Sequence, residues 1–241
     1  MNAISGTLTH STGSTSLDVG VTTIVDADGP AADGSLSALN ANLYLYSYNT
    51  GTNHTYFSGT YDYVTAFDGN YTALGVRNIT GGVYGVTTAA ADIPSAGTAT
   101  YAGEAGGEYN HTLATGSTSY SFLTNGSSAV TADFDANRVN VVMKNFTALD
   151  SSGTVLAQDV FDEVRLTNMS IIGNGFSGGG IEFYKGGTAV TLDTVIGTSI
   201  SSLSGANFFG YDTSIGAPDE VGGVYTQTGL VGTLNLVFVA D

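Results

Sequence analysis

The groups in this chain that could do chemistry are few, and their spacing suits little of it. There are three histidines: His54 and His111, each between an Asn and a Thr, and His10 in a loose Ser/Thr-rich stretch. None has a neighbour that completes a nucleophile and base, and no serine sits in a nucleophile-elbow pattern. Carboxylates are paired at Asp162-Glu163 and Asp219-Glu220, but adjacent residues on a strand point to opposite faces and do not converge on one bond. The run Gly175 to Gly180 lacks the lysine and the helix of a phosphate loop, so its glycines read as strand benders. Asp26-Ala27-Asp28-Gly29-Pro30 places Pro30 where a calcium loop needs its third oxygen ligand, and no Glu closes the loop. The absence of cysteine removes disulfides, thiolate catalysis and zinc–thiolate sites. Neither enzymatic activity nor a metal site is expected.

Binding chemistry remains. A haem needs an axial His or Tyr and an apolar slot. The candidates are His54, on a hairpin between two tyrosine-bearing strands, with Tyr44, Tyr46, Tyr61 and Tyr63 as slot walls. A protein ligand is the other candidate, because tyrosine covers binding surfaces with an apolar body and a polar tip.

Net charge narrows the partners. With 21 acidic residues against 5 basic ones the chain carries −16, which repels phosphate backbones and argues against nucleic acid. Residues Met1 to Leu8 have neither a basic start nor an apolar run, and no later stretch is long and apolar enough for a membrane span. No membrane insertion is expected.

These side chains must be carried by strands. Gly and Thr are abundant, Pro is rare, and Tyr and Phe are the only aromatics, a profile of strands joined by tight turns. From Leu39 to Tyr48 the alternation puts Tyr44, Tyr46 and Tyr48 on one strand face. A strand over Tyr56–Phe67 puts Tyr61 and Tyr63 on one face, and further strands near Tyr71–Ile79 and Gly82–Thr88 complete a small antiparallel sheet. Tyrosine dominates this part and phenylalanine the remainder, which argues for two cores of different character. Pro94 marks the boundary, giving an N-terminal Tyr-rich domain over 1–93 and a C-terminal one over 94–241.

After Pro94 strands are expected at Gly97–Ala102, Ser117–Leu123, Ala129–Phe134, Arg138–Phe146, Asp162–Ile172, Gly179–Tyr184, Thr188–Leu192, Asn207–Tyr211, Glu220–Tyr225 and Gly232–Phe238. Ser199 to Gly205 is the one helical candidate. The expected fold is all-β: a small N-terminal antiparallel sheet followed by an antiparallel barrel of about eight strands, whose closure removes exposed edges.

Several motifs, in order, also resemble a known family. They are Ile93-Pro94-Ser95-Ala96-Gly97-Thr98-Ala99-Thr100-Tyr101-Ala102-Gly103, then Ala132-Asp133-Phe134, Asn174-Gly175-Phe176-Ser177-Gly178, Gly205-Ala206-Asn207-Phe208-Phe209-Gly210 and Glu220-Val221-Gly222-Gly223-Val224-Tyr225. Together they look like the β-barrel domain of transferrin-binding-protein-B-like surface proteins of Gram-negative bacteria. The same barrel occurs in factor-H-binding lipoproteins and in secreted haem-scavenging proteins related to haemophilin, where an N-terminal handle precedes it. The resemblance implies a handle and an eight-stranded barrel, secreted or on the cell surface, without enzymatic activity. It does not carry over a ligand, since specificity in that family sits in loops and handle. The anchoring cysteine of the lipoprotein members has no counterpart here, which favours free secretion or a chain trimmed of its anchor. The alternative function is structural: self-association through the edges of the Tyr-rich sheet.

Overall fold

A computed structural model describes residues 4–10, 13–19, 31–36, 41–47, 61–73, 76–112, 118–149, 154–156, 161–192 and 199–241. Strands β1 (Ile4–His10) and β2 (Gly13–Val19) pair as a hairpin. Strands β3 (Ala31–Leu36), β4 (Ala41–Ser47), β5 (Val64–Ala73) and β6 (Val76–Gly85) form a four-stranded antiparallel meander, the handle. Here the expected boundaries shift. Tyr61 and Tyr63 precede β5 rather than lie within a strand, and β5 runs on through Tyr71 until Ala73 pairs with Val76. Gly69 reads as a break in the sequence, but it is bracketed by Leu45 and Thr80 in the two neighbouring strands, so the ladder carries through it.

A single 3-10 turn, Ala90–Asp92, leads to the larger sheet. Its strands are β7 (Thr98–Thr112), β8 (Thr118–Asp133), β9 (Arg138–Lys144), β10 (Thr147–Leu149), β11 (Val155–Leu156), β12 (Glu163–Ile172), β13 (Gly175–Ser177), β14 (Gly180–Lys185), β15 (Thr188–Val190), β16 (Ser199–Phe209), β17 (Glu220–Gly229) and β18 (Gly232–Ala240). The pairing order β8–β9–β12–β13–β16–β17–β18–β7 returns to β8, so an antiparallel ring of eight strands is closed. The last strand seals against the first, with Ala240 opposite Gly103 and Gly232 opposite His111. Strands β13 and β14 keep one register against β12, interrupted at Gly178 and Gly179; beyond the break β14 pairs with β15 instead of β16.

Ser199 to Gly205, the helical candidate, is strand. Ser201 to Gly205 pair residue by residue with Thr228 to Val224. The segment's two large apolar residues, Ile200 and Leu203, stand three apart as on one helical face, but the ladder offered by β17 decides its conformation.

Inside the ring the side chains alternate as one-sided walls require. Val139, Val141 and Met143 of β9, Val164 and Leu166 of β12, and Leu234, Leu236 and Phe238 of β18 belong to one buried cluster. Phenylalanines fill its centre, with ring centroids of Phe176–Phe208 at 5.1 Å, Phe161–Phe183 at 5.5 Å and Phe134–Phe208 at 5.9 Å. Each such side chain contributes about 1.5–3 kcal/mol by leaving water, and the interior is a packed core rather than a container. The outward rows are polar: Arg138, Asn140 and Lys144 on β9, Glu163, Arg165 and Thr167 on β12. A barrel that crosses a membrane has the opposite arrangement, apolar outside and polar within. Among the described residues no helix is long and apolar enough to cross a membrane.

A second, smaller core joins handle to barrel. Val64 and Ala66 of β5 pack on Val237 and Val239 of β18 and on Phe209, with Tyr61, Val83 and Val224 at its margin. Strand β18 is consequently buried on both faces from Leu234 to Ala240.

Candidate functional site

The handle meets the barrel at the start of β17, where Glu220 is buried. Its Oε1 accepts a hydrogen bond from the Asp62 N–H at 2.6 Å, and its Oε2 accepts those of Tyr63 at 2.9 Å and Val64 at 2.8 Å. One carboxylate thus accepts from three successive backbone donors at the entry to β5. Burial pushes the Glu220 carboxyl above its ordinary pKa; the three N–H groups pull the other way, and the Asp219 charge adds to the rise. Strand residues 222 and 223 then serve the two faces. A side chain at Gly222 would press on Val64 and Val83 of the handle, and one at Gly223 would press on Ala206 and the Phe238 ring inside the barrel.

The end of β16 closes the junction from the other side. Phe208 points inward against Phe176 and Phe134, Phe209 lies beneath the handle, and Gly210 takes a left-handed φ of 61°. Tyr63 stacks over Gly210 where any β-carbon would collide with its ring. The backbone of residues 86–88 runs alongside: Gly210 N–H donates to Val86 O at 2.9 Å, Thr88 N–H to Phe208 O at 2.9 Å, and the Thr88 hydroxyl to Gly210 O.

From this junction a short loop projects. Asp212 N–H donates to Ala217 O at 3.0 Å and Gly216 N–H to Asp212 O at 2.9 Å, while the Asp212 carboxylate accepts from Ser214 N–H at 2.7 Å. Those Ser214 contacts hold the Asp212 pKa below its ordinary value. Phe209 O accepts from Asp219 N–H, and the buried Tyr101 hydroxyl donates to Pro218 O, so both ends of the loop are fixed. At its tip Ile215 is 69% exposed; Val86 on the handle side is 67% exposed, and Ile172, the last residue of β12 before its turn to β13, 68%. Tyr63 and Tyr211 stand half in water between them. Phe208 N–H donates to Asn174 O at 2.9 Å, tying that turn to the same end of the barrel. The result is an apolar rim, contributed by both halves of the molecule and set on hydrogen-bonded turns.

Carboxylates lie about Tyr61. Burial together with the charges of Glu104, Asp241 and Glu220 raises the pKa of Tyr61 far above the ordinary phenol value, with a hydrogen bond to Glu104 acting in the same direction. Tyr61 is therefore held as a neutral phenol, suited to hydrogen bonding with Glu104.

Of the residues singled out in the sequence, Tyr61 and Tyr63 come together at this junction. The backbone of β4 places Tyr44 opposite Asn70 and Tyr46 opposite Asp68; their side chains, and the whole of His54, lie outside the described residues. The acidic pairs have structural partners. Glu163 bonds Arg165, Asp162 accepts from Gly186 N–H at 2.9 Å, and Glu220 holds the handle. Among the described residues no group of three or more His, Cys, Asp or Glu could hold a metal ion. Sequence reading missed Glu220, Val86 and Ile215. The first had a signal: a carboxylate opening an apolar, glycine-containing strand must find donors if that strand is buried.

No family model matches the chain, and no curated protein matches its sequence. Solved structures resemble it in fold. A double mutant of transferrin-binding protein B from Haemophilus parasuis is 14% identical with a TM-score of 0.49, over 98% of this chain and 40% of that one. Transferrin-binding protein B from Neisseria meningitidis is 16% identical with a TM-score of 0.43, over 83% of this chain and 33% of that one. The N-lobe of lactoferrin-binding protein B from Moraxella bovis is 12% identical with a TM-score of 0.37, covering 82% and 79%. This chain thus spans 40% of the first of these proteins, and no residue role passes from them to it.

Proposed function

We propose that this chain is a non-catalytic binding protein, secreted or on the cell surface, that docks a protein partner on the rim formed by Tyr63, Val86, Ile172, Tyr211 and Ile215. The observation that carries this is Ile215, two neighbouring apolar residues and two tyrosines left in water on turns whose hydrogen bonds hold them rigid. Exposed apolar side chains fixed in this way lose little entropy on binding and become the centre of an interface, while a polar margin excludes water. The phenylalanine-rich core inside the barrel supports the same reading by placing binding on the outside. Placement outside the cell rests on the motif resemblance read in the sequence.

The test is retention of extracellular proteins on the immobilised chain, run beside the double variant Val86→Ser/Ile215→Ser. A protein held by the wild type and released by the variant is the expected result. Equal retention by both removes the rim from consideration. Haemin, the small ligand suggested by His54 and the tyrosines, is titrated in parallel; a Soret shift lost in His54→Ala but kept in the rim variant would move binding to the handle hairpin.

A further inference from the structure

We infer that the handle is hinged on the barrel: it stays docked at the end beside Glu220, over Val237 and Val239, and lifts from the wall beyond Asn235, where the buried contact is polar.

The handle-facing side of the wall is built of rungs that cross β7, β18 and β17. Nearest Glu220 the rungs are Glu104, Val239 and Gly222, then Gly106, Val237 and Val224. Val64 and Ala66 of the handle pack here, with Tyr61 and Val83 at the margin. The next two rungs are Glu108, Asn235 and Thr226, then Asn110, Thr233 and Thr228, all of them polar. Leu234 and Leu236, on either side of Asn235, belong to the barrel core, so Asn235 shares the outer face with Val237 and Val239, and its opposite residues share it too. Yet Asn235 is 0% exposed and Glu108 1%. These polar rungs are therefore covered from outside the ring, on the side where β5 and β6 lie against β17 and β18.

The two halves of this seam differ in what separation costs. Lifting the first half returns valine side chains to water, which is unfavourable. In the second half Asn235 Oδ1 accepts from the Thr226 hydroxyl at 2.8 Å, but Asn235 Nδ2 has no hydrogen-bond partner among the described residues. A buried amide donor in that state has lost its hydration without replacement, and opening restores it. Thr233 N–H donates to Asn110 Oδ1 at 3.0 Å, a contact within the wall that survives when the handle lifts. Glu220 meanwhile holds Asp62, Tyr63 and Val64 at the apolar end. The far half is thus the less stable unit. Tyr63 and Val86 stand at the held end, bound to Glu220 and to Gly210, so the rim stays assembled while the far half moves.

The chain has no cysteine, so a single introduced thiol reports where the seam opens. Val237→Cys tests the held end and Asn110→Cys the far end, both at buried positions. Each labelling rate with a water-soluble thiol reagent is divided by the rate of the same variant in urea, which cancels differences in reactivity. Under native conditions labelling at position 110 is expected to be about tenfold faster than at position 237, or more. Asn235→Val/Thr226→Val carries the valine rows of β18 and β17 one rung further and removes the unpaired donor. Added to Asn110→Cys it is expected to slow labelling about tenfold, and added to Val237→Cys to leave the rate unchanged. Equal rates at the two positions overturn the inference, because the handle then lifts as one body. A fast rate at position 110 that the double substitution does not slow also overturns it, because that thiol is then reached without opening. Val239→Cys and Glu108→Cys repeat the comparison on neighbouring rungs should either first reporter fail to fold.

Discussion

Two walls of one barrel differ in a way the strand ladder does not explain. On β9 burial alternates residue by residue, whereas β18 is buried without interruption over its last seven residues. Both strands send apolar side chains into the same phenylalanine core. Only their outward residues differ: Arg138, Asn140 and Lys144 face water, but Val237 and Val239 face Val64 and Ala66 of the handle. Alternation in a strand is therefore a record of what covers each face, and its loss marks a docked neighbour. Beside β18, the glycine at position 222 lets the handle approach within van der Waals range of the barrel.

One substitution made on both walls sharpens the contrast. Val239→Asp buries a charge without a partner between handle and barrel and should cost about 3–5 kcal/mol. Val142→Asp, on the water-facing wall, should stay within about 0.5 kcal/mol. Urea denaturation of the two variants checks this, and similar midpoints would mean that the handle does not cover β18 in solution.

A smaller effect is expected at the latch. Glu220→Ala leaves the Asp62, Tyr63 and Val64 N–H groups without their acceptor and should weaken handle docking by about 1–3 kcal/mol. The barrel core does not include Glu220, so limited proteolysis should cut the handle in the variant while strands β7 to β18 stay intact. Simultaneous loss of both halves would show that the latch supports the whole fold rather than one contact.

Much of the barrel was legible in the sequence because apolar residues recur every second position along its strands. Arg138–Lys144 shows this without a break, and Glu163–Ile172 and Gly232–Ala240 show enough of it, at Val164 and Leu166 and at Leu234, Leu236 and Phe238, to fall close to the expected strands. Strands β7 and β16 proved longer than expected, and the two strands expected at Ser117–Leu123 and Ala129–Phe134 are one, β8. Gly103, Gly106 and Gly107 read as the end of β7, yet the strand continues to Thr112 because both neighbours supply a ladder through the glycines. Ser199 to Gly205 carries only Ile200 and Leu203 at a helical spacing and takes its form from β17 instead. The rim was not legible at all: Val86 follows β6, Ile172 ends β12 and Ile215 tips a turn, far apart in sequence, and their exposure is a property of the assembled end of the barrel. Tyr61 and Tyr63 were noticed for their type, but only closure of the fold brings Glu220 and Gly210 to them.

Acidification should separate the latch from the loop beside it by opposite signs. The folded pKa of Glu220 is raised above the ordinary carboxylate value of about 4.3. Its titration therefore contributes stability that is whole below that value and is lost as pH rises through the folded pKa. Ionised Glu220 still holds its three donors at neutral pH; it does so at a cost in desolvation that protonation relieves. Asp212 is the reverse case, with a folded pKa below about 3.9, so what it contributes is present above that and is lost as pH falls. Amide exchange protection at Val64 should accordingly rise on going from neutral into the acid range, while protection at Ser214 and Gly216 falls. Glu220→Gln should flatten the first trend and Asp212→Asn the second, each leaving the other in place. If both amides respond in the same direction, the latch and the rim loop titrate as one cooperative unit, and the rim cannot be adjusted independently of the handle.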